Sequence, residues 1–192
     1  MQQHSKIRHY NHTSRKRQKG MGLIEFAIYL ALAAAILFGV FYLVGVVQGK
    51  RITNNEVSNV TMMASDLRTK FTGQSSFAGI TPAAMIALNI VPKPMITGST
   101  ITSGFSTPVT VAAANINGVA NDGFTFTYQV PSDDCSNFVS GAEGAFSRIA
   151  IAGTNVKNVP AGDNSISVAE LASCGATATG NANVTIALSQ GR

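Results

Sequence analysis

Between Phe26 and Val47 this chain carries 22 residues without a charge or a proline, and no other feature limits its possible folds so severely. As a helix the run measures about 33 Å at 1.5 Å per residue, enough to cross a hydrocarbon core of about 30 Å. A single carboxylate, Glu25, stands at its edge. A charged side chain at the centre of a membrane helix costs about 2.5–3.5 kcal/mol, and less near the interface. Glu25 is therefore either the interfacial flank of an anchor or a residue with a dedicated partner. Its place in the first helical turn suits an anion in either case, because the unpaired amides there carry partial positive charge.

Upstream lies a polar leader containing Lys6, Arg8, Arg15, Lys16, Arg17 and Lys19, together with His4, His9 and His12, which are all the histidines of the chain. The formal charge of +5 invites a nucleic-acid reading, but without residues 1–20 only 8 of the 14 basic residues remain against 9 acidic ones. The cluster reads as a positive-inside signal that keeps the N-terminus cytoplasmic, and no nucleic-acid partner is expected. Ala31-Leu32-Ala33 and Ala33-Ala34-Ala35 fit the cleavage pattern of an ordinary signal peptide, yet the apolar run extends well past them.

The join Lys19-Gly20-Met21-Gly22-Leu23-Ile24-Glu25 resembles the class III signal of type IV prepilins: a basic cluster, a glycine, then a glutamate fifth in the chain that follows. The resemblance implies cleavage between Gly20 and Met21 by a prepilin peptidase, N-methylation of Met21, and Glu25 as the assembly glutamate that meets the Met21 amine of a neighbouring subunit. A free α-amino group, with a pKa of about 7.7–8.0, is largely charged at neutral pH, so it is a suitable counter-ion. Such a buried pair sets register more than it adds net stability. The leader of 20 residues, Met at the new terminus and the absence of a mid-helix proline look like the type IVb branch, which includes conjugative thin-pilus, bundle-forming and toxin-coregulated pilins.

After the apolar run, Ile52, Val57, Val60, Met63 or Ala64, Leu67 and Phe71 recur at spacings of three and four, which predicts an amphipathic continuation of the same helix up to Gly73. At the end of the run, Gly45 and Gly49 form a GxxxG pair that permits close helix approach, although small residues are common in membrane helices. Beyond Gly73 the composition turns to Gly, Ala, Ser, Thr and Asn. Thr81-Pro82 predicts a capped start to a short helix through Leu88, with 91–95 as an extended loop.

Phe124, Phe126, Tyr128 and Val130 alternate with Thr125, Thr127 and Gln129 after the turn Asn121-Asp122-Gly123, which predicts a strand with one buried face and a partner within 109–119. A helix is expected from Asp133 to about Phe146, with Asp133 and Asp134 at its positive end rather than in a cation site. Further strands are expected at 148–152, 164–168 and 184–188, with a helical turn at 169–172. Cys135 and Cys174, in an exported segment, predict one disulfide worth about 4 kcal/mol by loop entropy. Without histidine, the segment after the leader lacks Ser-His-Asp or Cys-His machinery and imidazole metal ligands. No enzyme activity, cofactor or metal is expected.

The pieces predict an α+β chain: a cleaved leader at 1–20, a long N-terminal helix over 21–72, and a head over 73–192 built on a predominantly antiparallel sheet. By resemblance this is the type IV pilin fold and a structural subunit. Its partners would be further copies of itself, the prepilin peptidase, an inner-membrane platform protein and an assembly ATPase. It would pass from the inner membrane to an extracellular pilus for adhesion, aggregation or conjugation. A minor pilin, a type II secretion pseudopilin and a membrane-anchored exported enzyme are the alternatives.

Overall fold

The computed structural model describes residues 22–176 and 182–192. The chain divides into two compact units, with the boundary between Leu43 and Val44. Helix α1 runs over Leu23–Lys70, so the apolar run and its amphipathic continuation are one helix. It closes three residues before Gly73, with the Phe71 amide still donating to the Leu67 carbonyl (3.1 Å).

Within the second unit the α1 residues Val60, Met63, Ala64 and Leu67 join the hydrophobic core, as their spacing predicted. Helix α2, Pro82–Ala87, starts at Thr81, whose Oγ1 accepts from the Ala84 amide (3.2 Å). The 91–95 loop tightens into a 3-10 turn at Lys93–Met95. Helix α3, Ser132–Ala142, ends in a 3-10 turn at Glu143–Ala145. Two short helices follow, α4 at Val168–Leu171 and α5 at Ser173–Ala176.

The strands are β1 (Ile96–Thr97), β2 (Thr100–Thr102), β3 (Pro108–Ala114), β4 (Gly123–Pro131), β5 (Arg148–Ile151), β6 (Thr154–Asn158) and β7 (Asn183–Gly191). They form one sheet in the order β1-β2-β3-β4-β7-β5-β6, and each neighbouring pair is antiparallel. The long central pairing sets Phe126 opposite Leu188 and Tyr128 opposite Ile186. Period-two alternation then sends Phe124, Phe126, Tyr128 and Val130 inward, all with no exposed surface. Rings of Phe77, Phe124, Phe126 and Phe146 follow one another at centroid distances of 5.2, 5.4 and 6.5 Å. Such edge contacts add about 0.5–1.5 kcal/mol per pair beyond area burial.

The expected strand at 164–168 is not formed. Asn-Ser-Ile-Ser-Val alternates like a strand, but Ser167 accepts from the Glu170 amide while the Glu170 carboxylate accepts from the Ser167 amide, a reciprocal cap that starts α4. Strands β1, β2 and β6 carry no comparable pattern in the sequence. β6 depends on a two-residue turn, Ala152-Gly153, with φ of 49° and 85°. Both residues are left-handed there, as the tightest hairpin turn requires, yet Ala is a poor signal for it.

Candidate functional site

Glu25 is the third residue of α1, and its amide donates to the Gly22 carbonyl (2.9 Å) at the helix entrance. The carboxylate thus stands where the first amides lack intrahelical partners. Around it the described residues from Gly22 to Val44 are all exposed, including Leu23, Phe38 and Phe41 at 90%, 76% and 73%. This segment is long and apolar enough to cross a membrane, and none of its most apolar window is buried. Exposed apolar area disfavours water at about 25 cal/mol per Å². The cleavage pair Gly20 and Met21, and the leader before them, lie outside the described residues.

Cys135 on α3 and Cys174 on α5 are joined by a disulfide, with Cα atoms 5.7 Å apart and both residues buried. It ties the late segment 159–176 to the helix that follows β4. Asp133 and Asp134 occupy the first turn of α3 as expected. Asp134 has a further role, since its Oδ1 accepts from Thr53 Oγ1 (2.9 Å) and so tethers α3 to α1. Close approach of these helices also needs Gly141, where a Cβ would lie 3.0 Å from a Val57 methyl. Among the described residues, no group of three or more His, Cys, Asp or Glu comes together.

A feature that sequence reasoning passed over is Glu56. Helical spacing places it on the inner stripe of α1 between Thr53 and Val60, and only 3% of its surface is exposed. Its Oε1 accepts from Asn59 Nδ2 (3.3 Å), whereas its buried Oε2 has no hydrogen-bond partner. Burial raises its pKa, with the amide of Gly104 and the side chain of Asn59 opposing the shift. The fully buried Tyr128 hydroxyl is also unpartnered, and its pKa is pushed up by burial and then by the Glu56 charge. The one available signal was a carboxylate at a core position of an amphipathic helix. By contrast Asp122, also buried, is answered: its carboxylate accepts from the amides of Ile116 (2.6 Å) and Asn117 (2.8 Å). Burial pushes the Asp122 pKa up, and these amides more than reverse that, so the net shift is downward.

Comparison with known proteins places this arrangement. Two curated relatives, each named major structural subunit of bundle-forming pilus, come from Escherichia coli O127:H6 and O111:H- and are 29% identical over 106 residues. The match covers 54% of this chain, which spans about half (55%) of the length of those relatives. Among solved structures, the crystal structure of TcpA, a type IV pilin from Vibrio cholerae El Tor biotype, superposes with a TM-score of 0.51. That likeness is one of fold, at 13% identity over 74% of this chain and 99% of the other. The family described as PilS N terminal matches residues 50–189, the helix continuation and nearly all of the head, and the chain belongs to that family, with the fold of a type IV pilin.

Proposed function

We propose that this chain is the major structural subunit of a type IVb pilus, made as a prepilin, trimmed, held in the inner membrane and polymerised into an extracellular fibre. The observation that carries the reading is the uncovered apolar half of α1 with Glu25 as its lone carboxylate. In lipid the segment is stable as an anchor. In a fibre the same surfaces bury one another, so extraction exchanges one apolar surrounding for another at little net transfer cost.

A carboxylate in such a helix bundle needs a cation, and the Met21 amine exposed by cutting after Gly20 supplies one. The family role of the two curated relatives supports the assignment of fibre subunit. A prepilin peptidase, a platform protein and an assembly ATPase are the partners this reading requires. Residues 1–20, 21–72 and 73–192 are then leader, helix and head. The Cys135–Cys174 region is our candidate for the fibre's outward surface, for contact with cells or other fibres in adhesion, aggregation or conjugation.

The test is the intact mass and N-terminal sequence of the exported protein. The expected product begins at Met21 and carries one methyl group. A soluble product beginning after Ala33 or Ala35 overturns the reading. Abundance in sheared surface fibres separates a major subunit from a minor one.

A further inference from the structure

Two clefts of about 410 and 390 Å³ flank the last turns of α1 and share Ser65 and Arg68 as common wall. Arg192, just past β7, lines the first and Lys157 of β6 the second, and no carboxylate among the described residues lines either. Three of the 8 basic residues after the leader thus gather here, although basic and acidic residues nearly balance over that part of the chain, 8 against 9. Among the described residues, no hydrogen bond or ion pair engages the guanidinium of Arg68 or Arg192. The Arg192 group lies 5.8 Å from the centroid of the Phe77 ring, a contact with the ring rather than with an acceptor oxygen. Arg148 shows the contrast, donating to Asn158 Oδ1 and to the carbonyls of Asn115 and Ile116. A basic residue in the last turn of a helix usually answers unpaired carbonyls. Here the Leu67, Arg68 and Thr69 carbonyls already accept from the Phe71 amide (3.1 Å), Thr72 Oγ1 (2.8 Å) and the Thr72 amide (3.4 Å), so they do not need the Arg68 side chain.

We propose that these two clefts bind an acidic polysaccharide, its charged groups held by Arg68 and Arg192 and its ring hydroxyls set against the polar wall. A guanidinium presents a planar fork of donors that matches the oxygens of a carboxylate, sulfate or phosphate group. The wall adds the Thr61 and Ser65 hydroxyls, which nothing among the described residues engages, as partners for sugar hydroxyls. Lys157, buried with its Nζ donating to the Glu143 carbonyl (2.6 Å), adds positive charge beside the second cleft. A single-stranded nucleic acid would need aromatic faces for its bases. The clefts do not offer them: Phe77 and Phe146 are 1% and 2% exposed, and Phe71 is stacked on Phe77 with centroids 5.3 Å apart. A lone oxyanion would leave the second cleft unused. The inference stands apart from the fibre reading, because every residue in it lies within the second unit.

The test measures binding of the exported protein, solubilised in detergent, to immobilised heparin and to hyaluronate, whose only charges are carboxylates. Arg68 and Arg192 are exposed, so their substitution leaves the core intact. Arg68→Gln and Arg192→Gln should each weaken binding several-fold, and together at least tenfold, with a shallower dependence on salt. Arg68→Lys, which keeps the charge and loses the fork, should fall between Arg68→Gln and wild type. Lys93→Gln, which removes an exposed charge away from the clefts, should bind as wild type does. Either polymer bound in this arginine-dependent way supports the inference, and the tighter of the two identifies the charged group. Binding of neither polymer, unchanged binding in the double variant, an equal loss in Lys93→Gln, or equally potent displacement by oligothymidylate overturns it.

Discussion

Glu56 and Asp122 are two buried carboxylates with opposite consequences. Asp122 is met by two amides, so its folded-state pKa lies below the unfolded one. Its contribution to stability is present above the unfolded pKa of about 3.9 and is lost as pH falls through the folded value. Glu56 has a raised folded-state pKa, so its contribution is complete below the unfolded value of about 4.3 and is lost as pH rises through the folded one. Glu56→Gln should therefore flatten the pH dependence of thermal unfolding above about pH 4.3 and leave the variant more stable than wild type at neutral pH. Near-UV circular dichroism of the detergent-solubilised chain measures this, and equal slopes for both proteins would refute it. Ala152 offers a second test, because a left-handed φ at a residue with a Cβ costs about 1–2 kcal/mol. Ala152→Asn should stabilise the chain by about 1 kcal/mol, read as a higher unfolding midpoint, because Asn tolerates this conformation.

Helices and strands differ here in how far their reasons are local. Helix α1 follows from unbroken apolar and then amphipathic periodicity, and α2 and α4 from caps written within four residues. β4 is equally legible, since Phe124, Phe126, Tyr128 and Val130 alternate with polar residues. β1 and β2 have two and three residues, too few for any period to show. β6 forms because β5 offers an edge and the Ala152-Gly153 turn returns the chain to it. Their cause is pairing, not pattern. The Cys135–Cys174 disulfide belongs to the same scale, holding short helices with little core of their own to α3. Replacing both cysteines with serine should lower unfolding free energy by up to about 4 kcal/mol, measured by denaturant titration, and should loosen 159–176 first. Protease cleavage concentrated elsewhere would contradict that order.

Over the whole chain, the first half of α1 is exposed and apolar while the second unit carries its own core, and the fibre proposed above would cover that apolar face. In that fibre Glu25 has to find a cation. Glu25→Ala should leave the head folded and the disulfide formed yet abolish or greatly reduce fibres in sheared fractions, whereas normal fibre yield would remove the proposed ion pair. The apolar run, its single carboxylate, the cysteine pair and the alternation in β4 were all legible in the residues, because each is a local pattern with a local physical cause. The order β1-β2-β3-β4-β7-β5-β6 was not, nor was the use of Ser167 as a cap where alternation suggested a strand. Nor was the unpartnered Oε2 of the buried Glu56. Those depend on which distant segments meet. Sequence dictated one helix whose first half is apolar all round and whose second half offers a stripe to a core, and only tertiary packing decided which carboxylates are satisfied and which are left with an unpartnered oxygen, since a side chain's partners are set by neighbours far away along the chain.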